Sequence, residues 1–291
     1  MSSSTIGLGL AFTALLCWGF GDFFIQESTR KVGVWKSLFF NDLLATLVLL
    51  PFVYQDMLRV NIQSLLLLIL LSVVVVFVSV FDFTALREGK LAIVEPLLGI
   101  ELPITVGLSM FFLEEALHGR EIALIVLAFL GIVLASATRL SHLRYHRRLL
   151  EKGVLLAGLG AIAMGFMNFL VGVSSNDTSP LLTVWFFSTA LTLVSAIYLT
   201  LHKEWGTVIP ALKKYPGLTA KQAIIDNGAW VAYAGATTLI PISIAATISE
   251  SYIVIAVLLG IFVNREKIKA HQYLGIALAV ISIIALAYLT R

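Results

Sequence analysis

Carboxyl side chains interrupt several long apolar stretches of this chain. They are Asp22, Asp42, Asp82, Glu95, Glu101 and Glu250. An ionised side chain at the centre of a bilayer costs about 2.5 to 3.5 kcal/mol, so each such acid needs a partner, a wet cavity or a bound proton. The same stretches carry no Lys or Arg at comparable depth. This imbalance predicts either a cavity that accepts cationic groups or acids that bind protons.

The first of these acids belongs to a polar and aromatic stripe. Trp18, Asp22 and Gln26 follow one another at intervals of four residues, which places them on one face of a helix. The stripe makes Asp22 the first candidate for binding a substrate amine or a proton. A hydrogen bond between packed helices is the alternative role for this carboxyl.

Two further helical faces combine polar and aromatic residues. Asp82 shares a face with Ser79, and Trp230 shares one with Tyr233. If the two faces meet across a cavity, the aromatic rings supply stacking or cation–π contacts to a ligand. Anchoring at the lipid interface is the alternative role for the two aromatic residues.

Prolines accompany two of the acids, in the segments Glu95-Pro96 and Glu101-Leu102-Pro103. Each proline removes a backbone donor, and carbonyl groups freed beside a carboxylate can bind cations. A simple helix kink is the alternative. Glu250 lies on a polar stripe farther along the chain and is the preferred acid of the second half.

Catalytic and metal-binding patterns are missing from the sequence. Cys17 is the single cysteine, and the five histidines lie at loops or at the ends of apolar stretches, so no metal-site spacing arises. We therefore predict no metal, no cofactor and no enzymatic activity. An intramembrane enzyme that uses paired carboxylates is the less favoured alternative.

The elements that position these residues are membrane spans. The chain is 59% hydrophobic and 13% charged, with a mean hydropathy of +0.97, whereas soluble domains are about 25% charged. About 20 apolar residues cross a bilayer as a helix. Ten stretches meet this requirement, at 6–28, 34–54, 62–86, 91–112, 118–138, 153–173, 180–202, 222–239, 241–262 and 270–289. Asp42 lies near the end of its span, which favours solvation by headgroups.

The positive charges predict the orientation of the spans. The connections after spans one, three, five, seven and nine hold 17 of the 20 Lys and Arg residues. Such residues are retained in the cytoplasm, so both termini are predicted outside a prokaryotic plasma membrane. The net charge of +3 is scattered along the chain, which predicts no nucleic-acid partner. The predicted partners are lipid, a small-molecule substrate and, as an open alternative, protons; the oligomeric state is not predicted.

The chain repeats itself. A shift of 146 residues pairs Gly19 with Gly165 and Asp22 with Asn168, and a later shift of 151 residues pairs Ile104 with Ile255, Glu115 with Glu266 and Asp82 with Tyr233. The predicted units are 1–138, a basic linker at 139–152 and 153–291. Because each half has five spans, the second half is inverted in the membrane. Inverted repeats are typical of secondary transporters with a site near the midplane.

The sequence resembles the drug/metabolite transporter superfamily, and in particular its EamA-type ten-helix members. The segments that carry this resemblance are Trp18-Gly19 with Asp22-Phe23, Ala85-Leu86-Arg87, Phe112-Leu113-Glu114-Glu115, Asn264-Arg265-Glu266 and Gln272-Tyr273-Leu274-Gly275. The resemblance implies a bundle in which helices one, three, four, six, eight and nine surround a central cavity.

The resemblance also implies a function. Family members move amino acids, drugs, nucleotide sugars and other metabolites, so we expect an exporter of small polar metabolites that works by alternating access. A multidrug or cationic-compound exporter is the alternative. The related four-helix exporters use a first-helix glutamate at the position of Leu16, so any proton coupling here requires another acid.

Overall fold

The computed structural model describes residues 2–88, 99–136, 147–255 and 269–291, and all regular structure in these ranges is helical. Glu95 lies outside the described residues. The described helices are α1 (Ser3–Val32), α2 (Val34–Met57), α3 (Ile62–Glu88), α4 (Glu101–Phe112), α5 (Gly119–Ser136), α6 (Arg147–Asp177), α7 (Pro180–Leu201), α8 (Trp205–Lys214), α9 (Pro216–Thr237), α10 (Ile242–Ser249) and α11 (Ala270–Thr290).

Several helices are longer than the predicted spans. α1 exceeds the predicted 6–28 at both ends, and α9 begins at Pro216 instead of 222. α6 begins at Arg147, so the end of the predicted linker 139–152 is helical. Apolar content marks the hydrocarbon core, whereas helices continue into the headgroup region, and this explains the differences.

Six of the described helices are long and apolar enough to cross a membrane. They are α1, α2, α3, α6, α7 and α11. α4 and the stretch Ile242–Ile255 are shorter apolar helices. α9 has 22 residues but buries Gln222, Asp226 and Asn227 inside the bundle, which lowers its hydropathy. The count of ten spans stays a prediction.

Helices of the two halves pack against each other in a reciprocal pattern. The most extensive contacts join α1 to α9, α5 to α11, α2 to α7, and α3 to α6. In the predicted repeat, α1 corresponds to α6 and α9 corresponds to α3, so the α1–α9 pair is the counterpart of the α6–α3 pair. The α2–α7 and α5–α11 pairs each join a helix to its own counterpart.

Two glycines make a further pair of reciprocal contacts between the halves. A Cβ atom on Gly19 would lie 2.7 Å from Ile255, and a Cβ atom on Gly165 would lie 2.8 Å from Ile104. Gly19 and Gly165 are repeat partners in the sequence, as are Ile104 and Ile255. Each half therefore offers a glycine to the isoleucine of the other half, and the helices approach closely at both places.

Backbone turns occur at repeat-related positions beside the bundle centre. One turn, Gly99–Ile100, directly precedes α4, and another, Glu250–Ser251, directly follows α10. The shift of 151 residues relates the two turns. Pro103 falls in the first turn of α4, where its missing N–H has no intrahelical acceptor to lose, so it does not interrupt α4.

The connection between α7 and α9 contains the short helix α8. Its Val208 is buried and Trp205 packs edge-on against Phe39 of α2 at 5.3 Å, while Ile209 is exposed. Lys36 of α2 donates to the Glu204 carboxylate at 2.8 Å and fixes the start of α8. One buried and one exposed face suit a helix that lies along the membrane interface.

Candidate functional site

A cavity of about 60 Å³ lies where the helices of the two halves meet. Six acids line it: Asp22, Asp42, Asp82, Glu101, Asp226 and Glu250. Among its described lining residues there is no Lys or Arg. Since carboxylates need compensating positive charge inside a membrane, this lining favours a cationic occupant or bound protons.

One end of the cavity is built by α2, α3 and α9, and we name it the aspartate cluster (Asp42, Asp82 and Asp226). Asn41 of α2 donates to Asp226 Oδ2 at 2.8 Å, which joins α2 to α9. Asn227 donates to the backbone oxygen of Asn41 at 2.9 Å, so the same two helices are joined twice. These bonds hold Asp42 of α2 near Asp226 of α9, and Asp82 of α3 lines the same cavity.

Asp42 is the least solvated member of the aspartate cluster. Its side chain is only 2% exposed. Its Oδ2 atom has no hydrogen-bond partner within the part of the chain that the structure describes. An unpartnered buried acceptor loses about 1 to 3 kcal/mol relative to a satisfied one, so a ligand that donates a hydrogen bond here gains affinity.

The opposite end is built by α4, α6 and α10, and we name it the glutamate pair (Glu101 and Glu250). Both side chains are 2% exposed. Both carboxyl groups line this end of the cavity and lie close to each other. Two carboxyl groups buried side by side in a membrane suit a shared proton or a bound cation.

Asn168 of α6 supports the glutamate pair. Its Nδ2 donates to Glu250 Oε1 at 2.8 Å, and its backbone oxygen accepts from Tyr233 Oη at 3.2 Å. Its side-chain Oδ1 has no hydrogen-bond partner among the described residues, although the residue is 1% exposed. A second buried acceptor therefore faces this end of the site.

Helix ends position the two glutamates. Glu101 is the first residue of α4, where the partial positive charge of the helix N-terminus favours a carboxylate. Glu250 follows the last residue of α10, at the turn Glu250–Ser251. Side chains at such breaks can reach a central site that a continuous helix would direct elsewhere.

Aromatic rings form the wall between the two ends. The ring centroids of Trp18 and Trp230 are 4.9 Å apart with nearly perpendicular planes. Trp18 also lies 5.6 Å from Tyr233, and Phe187 lies 5.9 Å from Trp230. Such a wall can bind an apolar chain or the face of a cation.

The structure brings most of the predicted site residues together. Those that line the cavity are Trp18, Asp22, Asp82, Glu101, Asn168, Trp230 and Glu250. Tyr233 is fully buried behind them. Glu95 lies outside the described residues, and the binding roles of all these residues stay predictions.

Two acids of the cavity were not predicted as site residues. The interpretation of Asp42 as a headgroup-solvated side chain is wrong, because Asp42 is buried and lines the cavity. Asp226 was missed because it lies only four residues inside the predicted start of span eight, at 222. The spacing of four residues between Asp226 and Trp230 is the signal that identifies it.

Glu115 has a structural position away from the cavity. Its carboxylate accepts hydrogen bonds from the backbone N–H groups of Ile242 at 2.6 Å and Ser243 at 3.1 Å, and from the Ser243 hydroxyl. It therefore caps the N-terminus of α10. In the described part of the chain, no group of His, Cys, Asp or Glu side chains is arranged as a metal site.

The chain matches known proteins over most of its length. The model of the EamA-like transporter family matches residues 5–137 and 151–288. A segment of 130 residues is 32% identical to an uncharacterized protein of Methanocaldococcus jannaschii, and the match covers 44% of this chain and 93% of that protein. A solved crystal structure has a TM-score of 0.65 at 18% identity, over 99% of this chain and 98% of the other. This last likeness concerns the fold.

Proposed function

This chain belongs to the EamA-like transporter family, and we propose that it is a secondary transporter that exports small polar metabolites with an amine, such as amines or amino acids. The family makes it a multi-pass membrane transporter. The observation that carries the substrate proposal is the cavity lined by six carboxyl groups and an aromatic wall. An ammonium group supplies the positive charge and the hydrogen-bond donors for which such a lining is suited.

The size of the cavity favours small metabolites over bulky drug cations. Ligand pockets commonly have volumes of about 300 to 1,000 Å³, whereas this cavity has about 60 Å³. The cavity is narrow in the described conformation, and a small amine requires only a modest adjustment of its walls. A bulky multidrug cation requires a much larger rearrangement of the same walls.

Alternating access follows from the proposed inverted repeat. The contacts of Gly19 with Ile255 and of Gly165 with Ile104 relate the two halves reciprocally around the cavity. The proposed inverted repeat has a pseudo-two-fold axis in the membrane plane. If the halves rock about that axis, closing one entrance to the cavity opens the equivalent entrance on the other side of the membrane. The acids then face the two sides of the membrane in turn.

The glutamate pair is our candidate for proton coupling. Two buried carboxyl groups side by side favour a shared proton, and an arriving ammonium can replace that proton. The groups that face the pair are Asn168 and Tyr233, together with the other cavity acids. The negative charge of Glu115 also lies near Tyr233, at the far end of α10. Exchange of one proton for one ammonium would leave the charge of the site unchanged.

The transport proposal is tested by counterflow of labelled amines and amino acids in proteoliposomes. Asp226→Asn removes a charged group of the aspartate cluster, and a hydrogen bond to a charged group contributes about 1.5 to 3 kcal/mol. We expect exchange of the preferred substrate at low concentration to fall roughly 10- to 100-fold.

The matched control for this experiment is Glu27→Gln. Glu27 is an acid of α1, the helix that packs on α9, but its carboxylate is paired with Lys31 at the surface. We expect its exchange rate to equal that of the unmodified protein. If folded protein exchanges only neutral or anionic solutes, the amine proposal is wrong.

Proton coupling is tested separately with Glu101→Gln. A glutamine amide is neutral and has N–H donors, so it imitates a permanently protonated Glu101. We expect accumulation driven by a pH gradient to disappear, while counterflow at equal pH on both sides persists. An unchanged response to the gradient would rule out the glutamate pair as the coupling site.

A further inference from the structure

Five of the six acids of the cavity belong to two separated places, the aspartate cluster and the glutamate pair. Asp226 of the aspartate cluster and Tyr233, whose hydroxyl reaches Asn168 beside the glutamate pair, both lie on α9. They are seven residues apart in the sequence. At 1.5 Å per residue, their backbone positions differ by roughly 10 Å along the helix axis.

Each of the two places also has a buried acceptor that lacks a donor. In the aspartate cluster this atom is Asp42 Oδ2, and beside the glutamate pair it is Asn168 Oδ1; neither atom has a hydrogen-bond partner among the described residues. Both residues line the cavity and are at most 2% exposed. Native proteins rarely leave buried polar atoms unsatisfied, so a ligand with N–H donors at both of its ends fits this arrangement.

The wall between the two places suits an aliphatic chain. Trp230 lies four residues after Asp226 and three before Tyr233, so all three share one face of α9. Trp18 packs against Trp230 at 4.9 Å and widens this aromatic surface. The described lining has no Lys or Arg that would pair with a carboxylate of the ligand. This disfavours amino acids relative to amines.

We propose that the substrates are dications, namely short aliphatic diamines or polyamines, with one ammonium at the aspartate cluster and the other at Asn168 and Glu250. The methylene chain between them lies against Trp18 and Trp230. This inference rests on the proposed amine transport and narrows its substrate class. It also predicts a preferred distance between the two nitrogen atoms.

The first experiment compares putrescine with butylamine, which has the same chain length and only one amine. Both compounds compete, as unlabelled solutes, with labelled putrescine for counterflow in proteoliposomes of the unmodified protein. We expect putrescine to compete at least tenfold better. In a series of diamines of increasing length, we expect an optimum at a short or intermediate length, because the two anionic places are fixed. A steady improvement with chain length, which hydrophobic binding alone would give, overturns the proposal.

The second experiment removes one anionic place at a time, with Asp42→Asn or Glu250→Gln. Butylamine can occupy either place, so either variant should change its inhibition constant by less than about threefold. Putrescine loses one of its two anchors, so we expect its inhibition constant to rise roughly 10-fold or more and to approach that of butylamine. Equal weakening of both compounds in a variant overturns the proposal.

The outcomes separate this inference from the proposed function. If monoamines, diamines and amino acids compete equally in the unmodified protein, amine transport stands and the dication proposal is wrong. If no amine competes while another solute is exchanged, both proposals are wrong. The comparison of putrescine with butylamine and the chain-length series need no variant, so they decide the question even if a substitution prevents folding.

Discussion

Glu115 shows how one side chain can connect distant parts of the molecule. It lies between α4 and α5 in the sequence, yet its carboxylate binds the N-terminal N–H groups of α10, 127 residues farther along. In the sequence it lies just before α5, which begins at Gly119. The helix that it caps, however, belongs to the other half of the chain.

We expect Glu115→Ala to destabilise the protein. Loss of a capping side chain lowers the free energy of unfolding by about 0.5 to 2 kcal/mol, and α10 has only eight residues over which to compensate. Thermal unfolding in detergent should show a lower midpoint, with faster amide exchange in α10. The neighbouring acid Glu114 is exposed and takes no part in these hydrogen bonds, so Glu114→Ala is the control. If both variants unfold at the same temperature, the cap does not stabilise the protein.

The candidate site was predictable at residues whose polarity contrasts with their surroundings. Asp22, Asp82, Glu101 and Glu250 interrupt apolar sequence, and all four line the cavity. Asp42 was misinterpreted because depth in a membrane cannot be read from distance to the end of an apolar stretch. α2 carries Asp42 two turns past its first residue, Val34, and adjacent helices cover it there.

At the scale of elements, contact between helices depends on the absence of a side chain. A Cβ atom on Gly165 would lie 2.7 Å from the backbone oxygen of Glu101 and 2.8 Å from Ile104. Backbone atoms cannot rotate away as a side chain can, so α4 and α6 would have to separate. That movement displaces Glu101, which belongs to the glutamate pair.

We expect Gly165→Ala to reduce both stability and transport. Overpacking costs about 1 to 3 kcal/mol, and the shift of Glu101 disturbs the site. Gly160→Ala on the same helix is the matched control, because no atom lies within 4 Å of its added Cβ. Alanine should stabilise the helix at position 160 by roughly 0.5 to 1 kcal/mol. Thermal unfolding and counterflow check both variants, and equal activity of the two would show that this close contact is not needed for transport.

Helix identity was easier to predict than helix ends. The apolar stretches located α2, α3 and α7 within a few residues. The start of α9 was missed because the residues before 222 include Pro216, Gly217 and Lys221 and are not apolar, although the helix is continuous from Pro216. A helix surrounded by other helices can carry polar residues towards a shared site, and hydropathy alone then underestimates its length.

At the scale of the whole molecule, the two halves complete each other. α1 packs mainly on α9 of the second half, and α6 packs mainly on α3 of the first. Neither half can therefore bury these surfaces alone. The repeat in the sequence pointed to this relation through the glycine and isoleucine pairs, but which helices meet was not readable from the sequence because contact partners are distant along the chain.

The proposed inversion predicts that repeat-related positions lie on opposite sides of the membrane. Lys31 near the end of α1 and Asp177 at the end of α6 differ by the repeat shift of 146 residues, and both are exposed. In a parallel repeat they would lie on the same side of the membrane. In an inverted repeat with the positive charges inside, Lys31 is cytoplasmic and Asp177 is external.

Labelling of introduced cysteines tests this statement. Cys17 is the only native cysteine, so Cys17→Ala provides a background into which Lys31→Cys and Asp177→Cys are introduced singly. With a membrane-impermeant maleimide, we expect intact cells to label Asp177→Cys, and Lys31→Cys to be labelled only after permeabilisation. The opposite pattern would retain the inversion but reverse the orientation. Labelling of both variants from the same side would contradict the inverted repeat and, with it, the alternating-access mechanism, because two parallel halves cannot exchange entrances by rocking about an axis in the membrane plane.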